Sequence, residues 1–167
     1  MSLPAIGVIG LGAMGRGMAG SLRRAGYAVH VCDVRAEAAA AFAAEGGVAC
    51  ATPAELAAQC EVVVSVVVNA AQTEAVLFGE GGAAAAMKPG SLFVMCSTVD
   101  PNWSMALEAR LAEKGILYID APISGGAAKA ASGQMTMMTS GTPEAYARAE
   151  PMLHAMAARV YKLGDKA

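Results

Sequence analysis

The sequence has little net charge, few cysteines, two histidines and no long apolar run, and each shortage excludes a class of protein. The formal charge is −2 over 167 residues, so no basic excess draws the chain to nucleic acid or to an anionic membrane. The four cysteines, Cys32, Cys50, Cys60 and Cys96, show no C-x-x-C spacing and lie in or beside apolar runs. They read as buried thiols of a cytoplasmic protein in a reducing compartment, not as a disulfide framework. His30 and His154 stand alone and give no metal-ligand spacing, so no metal is expected. The strongest apolar stretch, residues 62–68, is far short of a membrane span. The apolar N-terminus is interrupted by glycine and lacks the basic flank of a signal peptide.

What the chain does have is a regular alternation. It is 56% hydrophobic, much of that alanine, and its length suits one domain that buries roughly 70% of its unfolded surface. Short β-branched runs alternate with alanine-rich ones. Strands are expected over 6–9, 28–32, 47–50, 62–68, 91–96, 117–119, 135–139 and 160–163. Helices are expected over 14–25, 36–44, 72–78, 83–87, 101–114 and 143–158, with another opened by the capping box Thr52-Pro53-Ala54-Glu55. The run at 62–68 is continuous rather than alternating, the mark of a strand covered on both faces. The order predicts an α/β fold: a doubly wound, Rossmann-type parallel sheet flanked by helices, with a small extra β-α-β extension at the C-terminal end.

Gly10-Leu11-Gly12-Ala13-Met14-Gly15 matches G-x-G-x-x-G. With 19 glycines in 167 residues the pattern arises by chance about 0.2 times per chain, so the context carries the weight. The motif follows a predicted strand and opens a predicted helix. There Gly10 permits a tight turn, Gly12 lets backbone approach a pyrophosphate, and Gly15 lets the helix pack on the strand. Asp33 ends the second strand, where an acid accepts hydrogen bonds from ribose hydroxyls and repels a 2′-phosphate. That favours NAD as the cofactor over NADP, although Arg35, two residues on, is also placed to pair with a 2′-phosphate.

Three further segments leave strands at the carboxyl edge of the sheet, where open α/β folds bind ligands. Val68 and Asn69 follow the fourth strand and are taken as cofactor contacts. "CSTVDP" (Cys96 to Pro101) follows the fifth. Both also read as ordinary helix starts. The third, "DAPISGGAAKAASGQMT" (Asp120 to Thr136), is almost bare of large side chains. Its Ser124-Gly125-Gly126 turn is equally a cradle for a carboxylate or a structural turn. Lys129 reads as a solvated lysine, with attraction of an anionic substrate as the other possibility.

These motifs together resemble the β-hydroxyacid dehydrogenase family, the 3-hydroxyisobutyrate dehydrogenases among them. "GVIGLGAMGRGMA" looks like the family's cofactor fingerprint, "STVDP" like its strand-five motif, and "DAPISGGAAKAASGQMT" like its substrate signature. Within the family, "VVNAAQTEAVLFG" and "SGGAAKAASGQMTMM" look closest to the branch that acts on L-threonate. The resemblance implies a dinucleotide on Gly10 to Gly15 and Asp33, Thr98 near its nicotinamide half, and a substrate carboxylate on Ser124, Gly125 and Gly126. It implies oxidation of a small hydroxy acid by hydride transfer. The family's catalytic lysine lies in a K-x-x-N-type motif; Lys162 and Lys166 do not match it, so no catalytic residue is assigned within this chain. The expected division is a dinucleotide-binding domain over 1–164, with 165–167 starting a linker to a helical domain that carries the lysine and the homo-oligomer contacts. A binding module without turnover and an imine reductase of the same fold stay open.

Overall fold

The computed structural model describes residues 3–166. The chain runs β1 (Ile6–Ile9), α1 (Gly15–Arg24), β2 (Val29–Cys32), α2 (Ala36–Ala44), β3 (Val48–Ala49), α3 (Pro53–Gln59), β4 (Val62–Ser65), α4 (Ala70–Phe78), β5 (Leu92–Met95), α5 (Pro101–Ala112) and β6 (Leu117–Asp120). It continues through β7 (Ile123–Ser124), α6 (Gly126–Ser132), β8 (Met135–Gly141), α7 (Pro143–Met156) and β9 (Ala157–Gly164). The sheet order is β3-β2-β1-β4-β5-β6-β8-β7, with β9 on β8. β1 to β6 are mutually parallel. β8 runs antiparallel to β6 and β7, and β9 parallel to β8.

The two faces of the sheet follow from the period of two along each strand. Val8, Val31, Val64, Val94 and Ile119 point to one side, against Met18 and Leu22 of α1, Phe42 of α2 and Leu153 of α7. Ile9, Val63, Phe93 and Tyr118 point to the other, against Leu56 of α3, Leu77 of α4 and Leu107 of α5. Because both faces are covered, β1, β4 and β5 are buried throughout, as expected of a doubly wound sheet. Packing also explains α1. Its first residue follows Met14, which gives no side-chain cap, a loss of about 1 kcal/mol. Met18 and Leu22 are fully buried and contribute roughly 1.5–3 kcal/mol each, so the helix forms without a side-chain cap.

Four expectations change, apart from shifts at element ends such as β9, which begins at Ala157 where the last helix was expected to reach residue 158. The fourth strand ends at Ser65 rather than at residue 68, because the chain leaves the sheet there and exposes Val68. Residues 83–87 make a hydrogen-bonded turn, with Met87 N–H on Ala83 O, and not a helix. The Thr52 hydroxyl accepts from Glu55 N–H as a capping box requires, but Glu55 reaches back to Ala51 N–H, one residue further than usual. The fourth is α6. The segment after Asp120 looks bare, yet its alanines form this helix, and Gly126 is its first residue rather than part of an open turn. The β-α-β extension is β8-α7-β9, and its antiparallel contact with β6 makes the sheet mixed at that end. Of the expected linker, Ala167 lies outside the described residues.

Candidate functional site

The carboxyl ends of β1, β2, β4, β5 and β6 all lie on one edge, since these strands are parallel. The segments leaving that edge hold the candidate coenzyme and substrate residues. Gly10 leaves β1 with φ +99°, and a Cβ on it would lie 2.3 Å from Val66 O. A Cβ on Gly15 would lie 1.8 Å from Gly10 O. The start of α1 therefore sits directly on the chain leaving β1, where a side chain at 15 has no room. Gly12 is the opposite case, since an added Cβ meets no atom within 4 Å. The fold demands glycine at 10 and 15; at 12 glycine leaves open space beside the uncapped start of α1. Exposed Ala13 and half-buried Met14 complete the loop, so the backbone at this point fits a dinucleotide's pyrophosphate.

Asp33 is wired into that loop. Leu11 N–H donates to its Oδ2 at 2.6 Å, and Arg35 N–H to its Oδ1 at 2.8 Å. The Arg35 guanidinium turns back on the same oxygen at 3.4 Å and on Leu11 O at 3.5 Å. Burial pushes the Asp33 pKa up, but the two amides and the guanidinium outweigh it and hold the carboxyl below its ordinary value. A carboxylate has about four acceptor positions, so a further donor still fits. Arg35 therefore serves Asp33 and Leu11 here, rather than standing free.

After β4, Val67 O accepts from Ser97 Oγ of the β5 exit at 2.6 Å, and Ser97 Oγ lies 3.5 Å from Thr73 Oγ1. Asn69 caps α4 by accepting Gln72 N–H at 2.9 Å, while Gln72 Oε1 accepts Val68 N–H at 2.8 Å. After β5, Thr98 is exposed and Asp100 caps α5 through Asn102 N–H at 2.7 Å. Asn69 and Asp100 thus do the capping that their sequence context also allowed. Ser97 lies in the strand-five motif "CSTVDP", but no local pattern marks it as the tie between the two exit loops. Its buried hydroxyl next to exposed Thr98 was not separable without a structure.

Beyond β6 the chain passes Ser124, Gly125 and Gly126, all exposed. Gly125 has φ +135°, and a Cβ there would lie 2.9 Å from Lys129 Cδ, so the Lys129 stem folds over the turn. Asp120 is directed elsewhere. Its Oδ2 accepts from Ser104 Oγ at 3.0 Å, Ser104 lies 2.8 Å from Tyr118 Oη, and its Oδ1 is buried without a partner. Burial raises the Asp120 pKa, the Ser104 hydrogen bond opposes this, and the charge of Glu108 adds to it. Cys96, buried close by, is pushed up to about 12. All four cysteines are buried and free. Among the described residues no group of three or more metal-ligating side chains forms, and no helix is long and apolar enough to cross a membrane.

Residues 5–164 match the family model described as the NAD binding domain of 6-phosphogluconate dehydrogenase. An L-threonate dehydrogenase of Cupriavidus necator is 63% identical over 159 residues, covering 95% of this chain and 54% of that protein. An L-threonate dehydrogenase of Pectobacterium atrosepticum is 40% identical over 163 residues, covering 97% of this chain and 54% of that protein. The crystal structure of a 3-hydroxyisobutyrate dehydrogenase from Salmonella typhimurium superimposes with a TM-score of 0.93 at 42% identity, over 97% of this chain and 56% of that one. The chain spans about half the length of the relatives it matches.

Proposed function

The chain belongs to the family of NAD binding domains typified by 6-phosphogluconate dehydrogenase, and from that premise we propose that it is the coenzyme-binding part of an NAD-dependent dehydrogenase of a small hydroxy acid. The substrate class is a sugar acid such as threonate, or a 3-hydroxyisobutyrate-like acid. The observation that carries the reading is the bond between Asp33 and Leu11 N–H, which joins a strand-end acid to the glycine loop in one unit. The 63% identity to an L-threonate dehydrogenase supports the substrate class.

In this reading the amides of Gly10 to Gly15 and the uncapped start of α1 hold the pyrophosphate. Asp33 accepts from the adenosine ribose, and its fixed negative charge disfavours a 2′-phosphate. Arg35 is engaged by Asp33 and Leu11, which supports NAD over NADP. Val68, Asn69 and Thr98 line the path from the second half of the sheet edge, and Ser124, Gly125 and Gly126 hold the substrate carboxylate by hydroxyl and amide. When bound, the coenzyme accepts the hydride. The hydroxyl proton needs a base within hydrogen-bond reach. Ser97, Thr98, Asn69 and Ser124 are not basic at neutral pH, and Asp120 is turned to Ser104. We assign residues 1–164 to the coenzyme domain, and the proton acceptor and oligomer contacts to sequence that the longer relatives have beyond the aligned half.

The test is titration of NAD and NADP into the chain, followed by NADH formation from L-threonate and 3-hydroxyisobutyrate. The second assay uses the chain alone and a hybrid with the remaining half of the Cupriavidus necator relative. NAD binding to the chain, with turnover only in the hybrid, is the expected result. Tighter binding of NADP than NAD would overturn the coenzyme assignment. Binding with no turnover by the hybrid would favour a binding module, and cyclic-imine reduction an imine reductase.

A further inference from the structure

Helix α6 starts where the Ser124–Gly125 turn ends, and little in its own sequence stabilises it. Seven residues are too few for a helix to persist alone, and no side chain caps its first turn. Glycines with φ +135° and +73° bracket it at 125 and 133. The strand before it, β7, pairs with β8 through two residues only. What holds α6 is α1. A Cβ on Gly17 would lie 2.6 Å from Ala131 N and 2.9 Å from Ala130 C, so the two helix backbones meet where only glycine permits it. One turn further, Ser21 Oγ donates to Ala130 O at 2.8 Å. The Arg24 guanidinium donates to Ala131 O and, at 2.9 Å, to Ser21 Oγ. These carbonyls belong to the last turn of α6, where only the C-cap Gly133 N–H reaches Ala130 O, at a long 3.4 Å, so Ser21 and Arg24 supply the further donors. Ser21 and Ala130 are both buried, so water does not compete for that bond.

We propose that Gly17, Ser21 and Arg24 form a clamp that positions the Ser124–Gly126 turn from the helix that carries the glycine loop. Ser21 and Arg24 are positioning residues: they touch α6, and α6 carries the turn. The proposal rests on the reading of the two turns as coenzyme and carboxylate sites, and deepens it. A ligand that orders the start of α1 orders α6 through the clamp, so coenzyme occupancy prepares the carboxylate site. A local anchor through β7 alone would give no such dependence.

The experiment is amide hydrogen exchange on the chain and on the double variant Ser21→Ala/Arg24→Ala, with and without NAD. Amides of residues 125–133 are expected to exchange about tenfold faster in the double variant, as two lost hydrogen bonds imply, while β1, β4 and β5 are unchanged. Saturating NAD slows exchange at 125–133 in the wild type and not in the double variant. Arg24→Lys, which keeps one donor for Ala131 O, recovers most of the protection that Arg24→Ala loses. In the active hybrid, the double variant raises KM for the hydroxy acid about tenfold at unchanged kcat, a split that general destabilisation does not produce. Equal exchange at 125–133 in wild type and double variant overturns the clamp. So does an equal response of that segment to NAD in both. Failure of the wild type to bind NAD would instead remove the proposed function, and exchange without NAD would still decide the clamp.

Discussion

Two glycine-rich turns lie on one edge of this sheet, each with a strand-end aspartate as its candidate partner, and they are wired in opposite ways. At Gly10–Gly15 the acid and the turn are a single unit, since Asp33 takes Leu11 N–H directly. At Ser124–Gly126 they are separate: Asp120 faces Ser104, and the turn depends on α6 and, through it, on α1. The glycines differ in the same sense. At 10 and 15 a Cβ would sit 2.3 and 1.8 Å from backbone oxygens, whatever the torsion (φ +99° at Gly10). At 125 and 126 the limit is chiefly torsion, with φ +135° and +74°: a Cβ on Gly125 meets only the flexible Lys129 side chain, and one on Gly126 meets nothing within 4 Å. A contact-limited turn is fixed by the fold around it, whereas a torsion-limited turn has room to adapt to a ligand.

Breaking the first turn should give the largest effect. Gly15→Ala forces a methyl onto Gly10 O, which a β-strand end and a helix start cannot both yield to. We expect a loss of at least about 3 kcal/mol, enough to lower the melting temperature by several degrees or prevent folding. Gly126→Ala carries only the left-handed torsion penalty, about 1 kcal/mol. Denaturant unfolding of the two variants checks the order. Equal losses would show that contact and torsion do not distinguish the two turns.

A smaller and more selective effect should come from Gly12. No protein atom opposes a methyl there, so Gly12→Ala should leave the melting temperature without coenzyme within about 2 °C of wild type. The same methyl would occupy the space assigned above to the pyrophosphate, so NAD affinity should fall about tenfold, or about 1.4 kcal/mol. Calorimetric titration and thermal melts on one sample set measure both. An unchanged NAD affinity would place the coenzyme away from this loop.

The first of these regions was legible in the sequence and the second only partly. G-x-G-x-x-G after a buried strand, with an acid after the next one, states its own geometry, because Gly10 and Gly15 each answer a local steric demand. The expected bounds of β1 and α2 agree with the structure to the residue. The region after β6 hides its organisation in pairings distant in sequence. Ser21 and Ala130 are 109 residues apart, and no local pattern links them. Alanine at 127, 128, 130 and 131 favours a helix, but the glycines at 125, 126 and 133 break any longer local pattern. The strand expected to reach residue 68 stopped short because apolar character does not say where a chain leaves a sheet. Whether Asn69 and Asp100 cap helices or meet a ligand could not be divided by sequence, and in the structure both cap.

The smallest expected effect is electrostatic, and it separates the two acids by sign. Asp33 has a lowered pKa in the fold: burial raises it, but the amides of Leu11 and Arg35 and the Arg35 charge outweigh that. Its contribution to stability is present above the unfolded carboxyl value of about 3.9 and is lost as pH falls through the lower folded value. Asp120 is raised by burial and by Glu108, against the Ser104 bond. The folded state therefore binds its proton more tightly than the unfolded state does. Its contribution is present below about pH 3.9 and is lost as pH rises through the folded value. At neutral pH an ionised Asp120 with a buried, unpartnered Oδ1 is a net cost. Asp120→Asn keeps an acceptor for Ser104 and removes the charge. The melting temperature of Asp120→Asn relative to wild type should therefore rise as pH goes from about 4 to about 8. Taking the difference cancels His30, whose pKa is lowered by burial and which destabilises both proteins alike as pH falls through about 6.5. Melts of both proteins across that range give the answer. A difference that stays flat or shrinks with pH would mean that Asp120 is as well satisfied as Asp33, and the contrast between the two strand-end acids would fail.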